Sequence, residues 1–571
     1  MRHNRQSILN IGRMIFVAFL ILLLQPTSTA YGASLTVNTT SDTHDAAPGD
    51  GTCSDGSACS LRAAIEEANA LTGADIITLP AGTYTLTQGS ELYITSDITI
   101  NGDGAATTII QANASANNAT YRVLRNNGGT VLISDVTIRH GVCAGSCAGT
   151  LMGASGGGIL NQSGTLTLDA SSISANTATY GGGIHNAATL TIQSGSAIGG
   201  AGAGNSATVD GYGGGIFNDT GGTTTIDAST VSANTAVYGG GIRNVETLNI
   251  QNGSVIGGAG VGNTATNDGG GIYNALGTTT INASTVSANT ATNDGGGIYN
   301  LSTEPFALTI QNGSVIGGAG AGNSAAGGVS GGGGIYSGGG ATTITSSTVS
   351  ANTATDGCGG GIWNGAGATM MIEDVSVVGR SGAGNSARYG GGICNSTGTL
   401  TIDASTVSAN TTAGVNNAGG GIYNTGSSGT LTIQNGSVIG GTGAGNSSTK
   451  GGGIDNTGGG ILLVIDASTV SANSAYYGAG IYNDGGDLTV ENNSLIGGAD
   501  AGNVATYGGG IFNHNGTAMI NSSTVSANTA LDAIGGGIYN DATLTIVNDS
   551  LIGGVGAGNS STGGGGIHNA G

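Results

Sequence analysis

Residues able to act as acids, bases or ligands are sparse in this chain. The densest polar group is Ser134-Asp-Val-Thr-Ile-Arg-His140, which places Asp135, Arg139 and His140 close together. Chemistry on a polysaccharide would need clustered carboxylates, often beside a basic residue or calcium, on one face of neighbouring strands. Strand alternation sets Asp135, Thr137 and Arg139 on one face and His140 on the other. That pattern reads as an exposed, salt-bridged strand. Asp169, Asp227, Asp403 and Asp466 recur at one place in alternate repeats. Two repeats apart is about 10 Å, too far for a carboxylate pair, so they read as turn residues, with weak calcium binding as the alternative. No other cofactor or metal is expected, and no catalytic residue is assigned. Cys53 and Cys59, and Cys143 and Cys147, are spaced to close small loops. Cys358 and Cys394 occupy different places in their repeats and are expected to be free. Zinc would need four clustered ligands, and the six histidines are scattered. Gly257-Gly-Ala-Gly-Val-Gly262 matches part of a dinucleotide fingerprint, but no helix follows it, so the match carries no chemistry.

The elements that must position any site come from a repeat. Gly-Gly-Gly-Ile-x-Asn recurs between residues 156 and 569 with few departures, from Ile159 and Ile184 to Ile538 and Ile567. Short and long spacings alternate, because Ser-Ala before a later asparagine in one unit becomes Gly-Gly-Ala-Gly-x-Gly in the next. Each unit holds three short segments of strand periodicity, typified by Gly-Ile-x-Asn, Thr189-Leu-Thr-Ile192 and Ser229-Thr-Val-Ser232. None can bury a face alone. Stacking Ile on Ile, Leu on Leu and Val on Val makes one continuous core. The expected fold is therefore all-β: a right-handed single-stranded parallel β-helix, with three short strands per coil and a small N-terminal helical cap. Its handedness follows from parallel crossover chirality, and fifteen rungs would span roughly 70 Å. Asparagine closing the hexapeptide, as in Asn186, Asn218, Asn244, Asn274, Asn300 and Asn424 with Ser337 the exception, reads as a structural ladder. A second ladder follows the third strand, as in Asn176, Asn205, Asn234 and Asn263. Thr-x-Thr pairs such as Thr189/Thr191 and Thr399/Thr401 point outward. A flat threonine array can bind ice, but Met371, Leu462, Val464 and Met519 interrupt this one.

Composition fits this reading. Glycine supplies 116 of 571 residues and proline only four, which excludes collagen. Eleven basic against 32 acidic residues give a net charge of −21, a surface that repels nucleic acid and anionic membranes. Residues 1–30 read as a signal peptide: Arg2, Arg5 and Arg13 precede the apolar run Met14–Leu24, then Pro26 and Ser28-Thr-Ala30. Its removal would leave eight basic against 32 acidic residues, no further apolar run, and an oxidising location in which the cysteines can pair.

Residues 34–155 precede the repeat. Ser60-Leu-Arg-Ala-Ala-Ile-Glu-Glu-Ala-Asn-Ala-Leu71 has helical spacing of Leu61, Ala64, Ile65 and Ala68 and predicts an amphipathic helix over the end of the apolar column. Cys59-Ser-Leu-Arg-Ala-Ala-Ile65 with Glu67-Ala-Asn69 resembles the CSLREA N-terminal domain of secreted bacterial β-helix proteins, with Ala63 where that family has Glu. Gly-Gly-Gly-Ile and Val231-Ser-Ala-Asn234 resemble the G-G-A-I and F-x-x-N elements of chlamydial polymorphic outer membrane protein repeats, with Val for Phe. The resemblance implies a secreted or surface-exposed, pectin-lyase-like β-helix of adhesin-like function, and no catalytic residues transfer. The resemblance also leads one to expect an autotransporter barrel, which is not read in these residues. The chain stops at Gly564-Gly-Gly-Ile-His-Asn-Ala-Gly571, one strand into a new unit, which reads as a truncation of domain 156–571. The expected partners are host, neighbouring-cell or matrix glycans or proteins, bound by a monomeric rod outside the cell. A carbohydrate-active enzyme on the same scaffold is the alternative, and an ice-binding solenoid the minor one.

Overall fold

The computed structural model describes residues 32–145, 147, 153–303, 307–327, 330–414, 416–459 and 461–570; the signal peptide expected at 1–30 lies outside the described residues. The chain winds into a parallel β-solenoid of about 16 turns. Ile184–Asn186 pairs in parallel with Ile216–Asn218, which pairs with Ile242–Asn244, isoleucine to isoleucine and asparagine to asparagine. Thr189–Gln193 and Thr223–Asp227 continue the same face in register, and Ala197–Gly199 pairs with Thr230–Ser232 on a second face. A third face is built from short strands not anticipated above, such as Thr177–Tyr180 and Ser206–Tyr212, these two ending on the residue before a glycine triplet.

The inward residues are mostly aliphatic, with threonines Thr224, Thr279 and Thr342 taking the leucine position in some turns, and are shielded. Ile184, Leu190, Ile192 and Ile198 have no exposed surface, and the same holds turn after turn to Ile538. Fully burying one such side chain stabilises by about 1.5–3 kcal/mol, so a single turn with four of them holds its neighbours firmly. The triplet glycines are needed for two separate reasons. Gly239 adopts φ +67°, a left-handed turn costly for any other residue. A Cβ on Gly240 would lie 2.5–2.6 Å from the Gly270 and Thr264 carbonyls of the next turn.

At the N-terminus, Leu61–Ala70 is the single helix among the described residues. Ser60 caps it by accepting from the Ala63 amide. Leu61, Ala64, Ile65 and Ala68 join the solenoid core and close its end. The polar face is fixed too. Buried Arg62 forks onto Asp42 at 2.7 and 3.2 Å and donates to the Ser90 and Glu91 carbonyls, and buried Glu67 accepts the Gly49 and Gly51 amides.

Candidate functional site

The residues singled out from sequence do not converge. Asp135 sits at φ +58° in the turn before the strand Thr137–Arg139, so alternation does not run through it. Arg139 donates to Gln111 Oε1 at 2.9 Å, and His140 Nδ1 lies 2.9 Å from the Asn113 carbonyl. The anticipated salt bridge is therefore not formed; Gln111 of the preceding turn takes the guanidinium. The recurring aspartates bond to amide groups one turn on. Asp227 accepts from Gln251 and Asn252, and Asp403 from Gln434 and Asn435. Asp169 accepts from Gln193 and Asp466 from Asn492.

Both asparagine columns are buried. Asn186 Nδ2 donates to Asn218 Oδ1 at 2.9 Å, Asn218 to Asn244 at 2.7 Å, Asn244 to Asn274 at 2.9 Å and Asn274 to Asn300 at 2.8 Å. Ser337 interrupts this column, and beyond it Asn424 donates to Asn456 at 2.7 Å. Cys53 is bonded to Cys59 and Cys143 to Cys147. Cys358 and Cys394 are not free as expected but bonded to each other. They do occupy different places in their repeats, one residue before a triplet and one after the next isoleucine. The winding brings those two places together across adjacent turns, with Cα atoms 5.6 Å apart.

That diagonal contact recurs along the solenoid and defines a groove that sequence reading missed. One wall carries the residue before each glycine triplet. The other carries the x of Gly-Gly-Gly-Ile-x-Asn. From 156 to 571 there are seventeen aromatic residues, and all except Phe306 and Tyr476 occupy these two positions. Phe217, Tyr273, Tyr299, Tyr336, Trp363, Tyr423, Tyr482, Phe512 and Tyr539 stand at x. Tyr180, Tyr212, Tyr238, Tyr389, Tyr477 and Tyr507 precede a triplet. The signal was present in the sequence, but it shows only when the residue left unspecified in the motif is tabulated. In-register stacking puts each ring over the next, as with Tyr299 on Tyr336 at 4.4 Å and Phe512 on Tyr539 at 4.4 Å between centroids. The rings shelter one another: burial pushes the Tyr273 phenol up to about 12 and raises those of Tyr299, Tyr336, Tyr423 and Tyr482 as well.

Where the ring column is broken, the groove opens into cavities. One of about 350 Å³ contains Tyr180, Tyr212, Phe217, His185, Asp219 and Arg243. The Arg243 guanidinium carbon lies 3.8 Å from the Tyr212 ring centre. His185 Nε2 is 3.3 Å from Asp219 Oδ2, too poorly aligned for a hydrogen bond, and neither ring nitrogen has a hydrogen-bond partner. A second cavity, about 790 Å³, lies between Trp363 and Tyr423, beside Asp356 and Arg388. A third, about 360 Å³, is bounded by Lys450, Tyr482, Phe512, His514 and Asp541. Only four lysines and arginines exist between 156 and 571, namely Arg243, Arg380, Arg388 and Lys450. Three of them line these cavities, each within 5.4 Å of the centre of a groove ring and each accompanied by one cavity-lining aspartate.

The groove also holds carboxylates on adjacent turns. Asp268 and Asp294 precede consecutive triplets; the Asp268 carboxylate accepts the Asp294 amide, and burial lifts the Asp268 carboxyl to about 6. Asp455 replaces an aromatic residue at x and is wholly buried. Burial pushes its carboxyl up to about 7, Oδ2 has no partner, and the Thr457 hydroxyl donates to Oδ1. Among the described residues no set of three or more His, Cys, Asp or Glu is placed to hold a metal ion. No helix there is long and apolar enough to cross a membrane.

The class these features define is a capped parallel β-solenoid with an aromatic groove along its axis. No protein-family model matches the chain, and no curated protein matches it. Among solved structures it is similar to the A-module of a mannuronan C-5 epimerase from Azotobacter vinelandii, at 10% identity and a TM-score of 0.26, over 90% of this chain and 94% of that one. It is also similar to the catalytic unit of an alpha-1,3-glucanase from Streptomyces thermodiastaticus, at 12% identity and a TM-score of 0.28, over 92% and 70% of the two chains. Neither similarity, at such identities and scores, bears on activity.

Proposed function

We propose that the protein is a secreted or cell-surface, adhesin-like β-helix that binds glycan chains along this groove. The observation that supports it is the confinement of the repeat's aromatic residues to two facing columns, with three cavities where the columns break. Sugar rings combine apolar C–H faces with hydroxyls. A groove of aromatic rings with a few charged groups suits both parts of such a ligand. From Tyr180 to Tyr539 the groove crosses twelve turns, about 58 Å at strand spacing, so it matches an extended chain better than a single small molecule. Each cavity pairs one cation with one carboxylate, which favours neutral sugars over strongly charged ones. Affinity electrophoresis of the protein through gels containing different polysaccharides tests the reading. Retardation by at least one neutral polysaccharide, reduced in Tyr180→Ala/Tyr212→Ala, is expected. Equal mobility in every gel would overturn it.

A second reading, glycan cleavage, draws on the cluster around the third cavity. Asp455, whose carboxyl burial pushes up to about 7, pairs in register with Tyr482, and Tyr482 lines that cavity with Lys450 and with His514, whose Nδ1 is 2.7 Å from Asp541. A raised carboxyl is the kind of group a general acid requires. Release of new reducing ends from a polysaccharide that the gels retard would establish cleavage; its absence would leave binding alone.

A further inference from the structure

The most closely spaced four-ring stack in the groove runs through Tyr273, Tyr299, Tyr336 and Trp363, with centroids 4.9, 4.4 and 4.3 Å apart and planes within 18°. It stops at Trp363 for a reason written in the register. The residue paired with Trp363 on the next turn is Cys394, and the residue paired with Cys394 is Tyr423. Two turns, about 9.6 Å, therefore separate Trp363 from the next ring of its column, and the ring that would fill that interval is missing. The 790 Å³ cavity lies there. One wall is Trp363, whose six-membered ring packs over Gly365, where a Cβ would lie 2.1 Å from it. The other is Tyr389, stacked on Tyr423 at 5.6 Å. Between them stands the Cys358–Cys394 disulfide.

We propose that this interval is a slot for one pyranose ring of a neutral hexose oligosaccharide, held against the open face of Trp363 with Tyr389 opposite. The inference rests on the groove reading above and adds the place and the ring. The cysteine pair does two things at once. It removes the bulk that a tyrosine would bring to position 394, and it ties the two turns together so that the gap cannot close by shifting them. A disulfide is also apolar, which suits the C–H face of a sugar. Hydroxyls on the ring edge meet Arg388 and Asp356, a donor and an acceptor of opposite charge on the rim. An acidic sugar gains from the first and loses to the second, so a neutral ring is preferred.

Trp363 is the chain's single tryptophan, so intrinsic fluorescence reads this slot directly. The protein is titrated with maltohexaose, cellohexaose and laminarihexaose, and with trigalacturonate as the acidic comparison. A saturable change in emission is expected with at least one neutral hexaose and none with trigalacturonate. Cys358→Ala/Cys394→Tyr should continue the ring column and abolish the response, its fold being checked by its thermal melt. Trp363→Ala, followed by calorimetry, should weaken the same oligosaccharide at least tenfold. The slot is overturned if no neutral hexaose moves the tryptophan signal, if trigalacturonate moves it as strongly, or if either folded variant binds like the parent. Retardation by a polysaccharide gel without any tryptophan response would sink the slot and leave the groove reading standing. Loss of both would sink the two together.

Discussion

At the scale of single residues, the solenoid stores cost at some positions and hides charge at others. Ala233 adopts φ +58°, and its equivalents Ala288, Ala472 and Ala527 do the same within a few degrees. An L-residue there costs about 1–2 kcal/mol that glycine avoids. Ala233→Gly is expected to stabilise the protein by about 1 kcal/mol, less than the full relief because glycine also frees the unfolded chain; denaturant melts would read it. Asp455 behaves in the opposite sense to most carboxylates. Its folded pKa, about 7, lies above its ordinary value of 3.8, so the folded chain holds a proton that the unfolded chain has released. The associated stability is complete below about pH 4 and is lost as pH rises through 7. Asp455→Asn should therefore flatten the fall of melting temperature between pH 4 and 8, and a parallel slope in the two proteins would contradict this.

At the scale of the element, each turn is joined to the next by a buried amide as well as by its ladder. Asn263 Oδ1 accepts both the amide and Nδ2 of Asn234, while its own Nδ2 donates to the Val231 carbonyl and to Asn289. Asn263→Ala leaves those groups unpaired in a dry interior, at a cost of about 3 kcal/mol. Hydrogen exchange should show faster opening in the turns around 231–289 and unchanged protection in turns far from them. The glycine triplet is a second element with no tolerance. Gly240→Ala drives a methyl into two carbonyls of the next turn, and we expect destabilisation of more than about 3 kcal/mol, or no folded protein on expression.

At the scale of the whole molecule, a stack of open-ended turns depends on its ends. The helix Leu61–Ala70 covers one of them, and Arg62 clamps it to Asp42 from within. Removing the guanidinium strands a buried carboxylate, which costs about 3–5 kcal/mol. Arg62→Ala should let the first turns fray, with limited proteolysis starting between residues 34 and 101 while the turns beyond 184 stay resistant. Protection lost uniformly along the rod would show instead that the turns unfold as one unit.

Much of this was legible in the chain. The hexapeptide and its isoleucines dictate stacking turns, because strands this short, each with only one or two inward apolar side chains, can be buried only by copies of themselves. The amphipathic pattern of Leu61, Ala64, Ile65 and Ala68 dictates a helix at the end of that column, and Asn186 to Asn300 stand in line because their spacing follows the same repeat. What the sequence could not decide was which positions of one turn touch which positions of the next. Cys358 and Cys394 are 36 residues apart and out of phase in their repeats, yet they bond. The winding sets the residue before one triplet beside the residue after the motif isoleucine of the following turn. The same diagonal gathers scattered tyrosines into a groove, places Arg243 over Tyr212, and opens a ring-sized interval beside Trp363. Periodicity along the chain determines the core, since core contacts join like to like. The surface site was decided by the tertiary winding, since its contacts join unlike positions across turns.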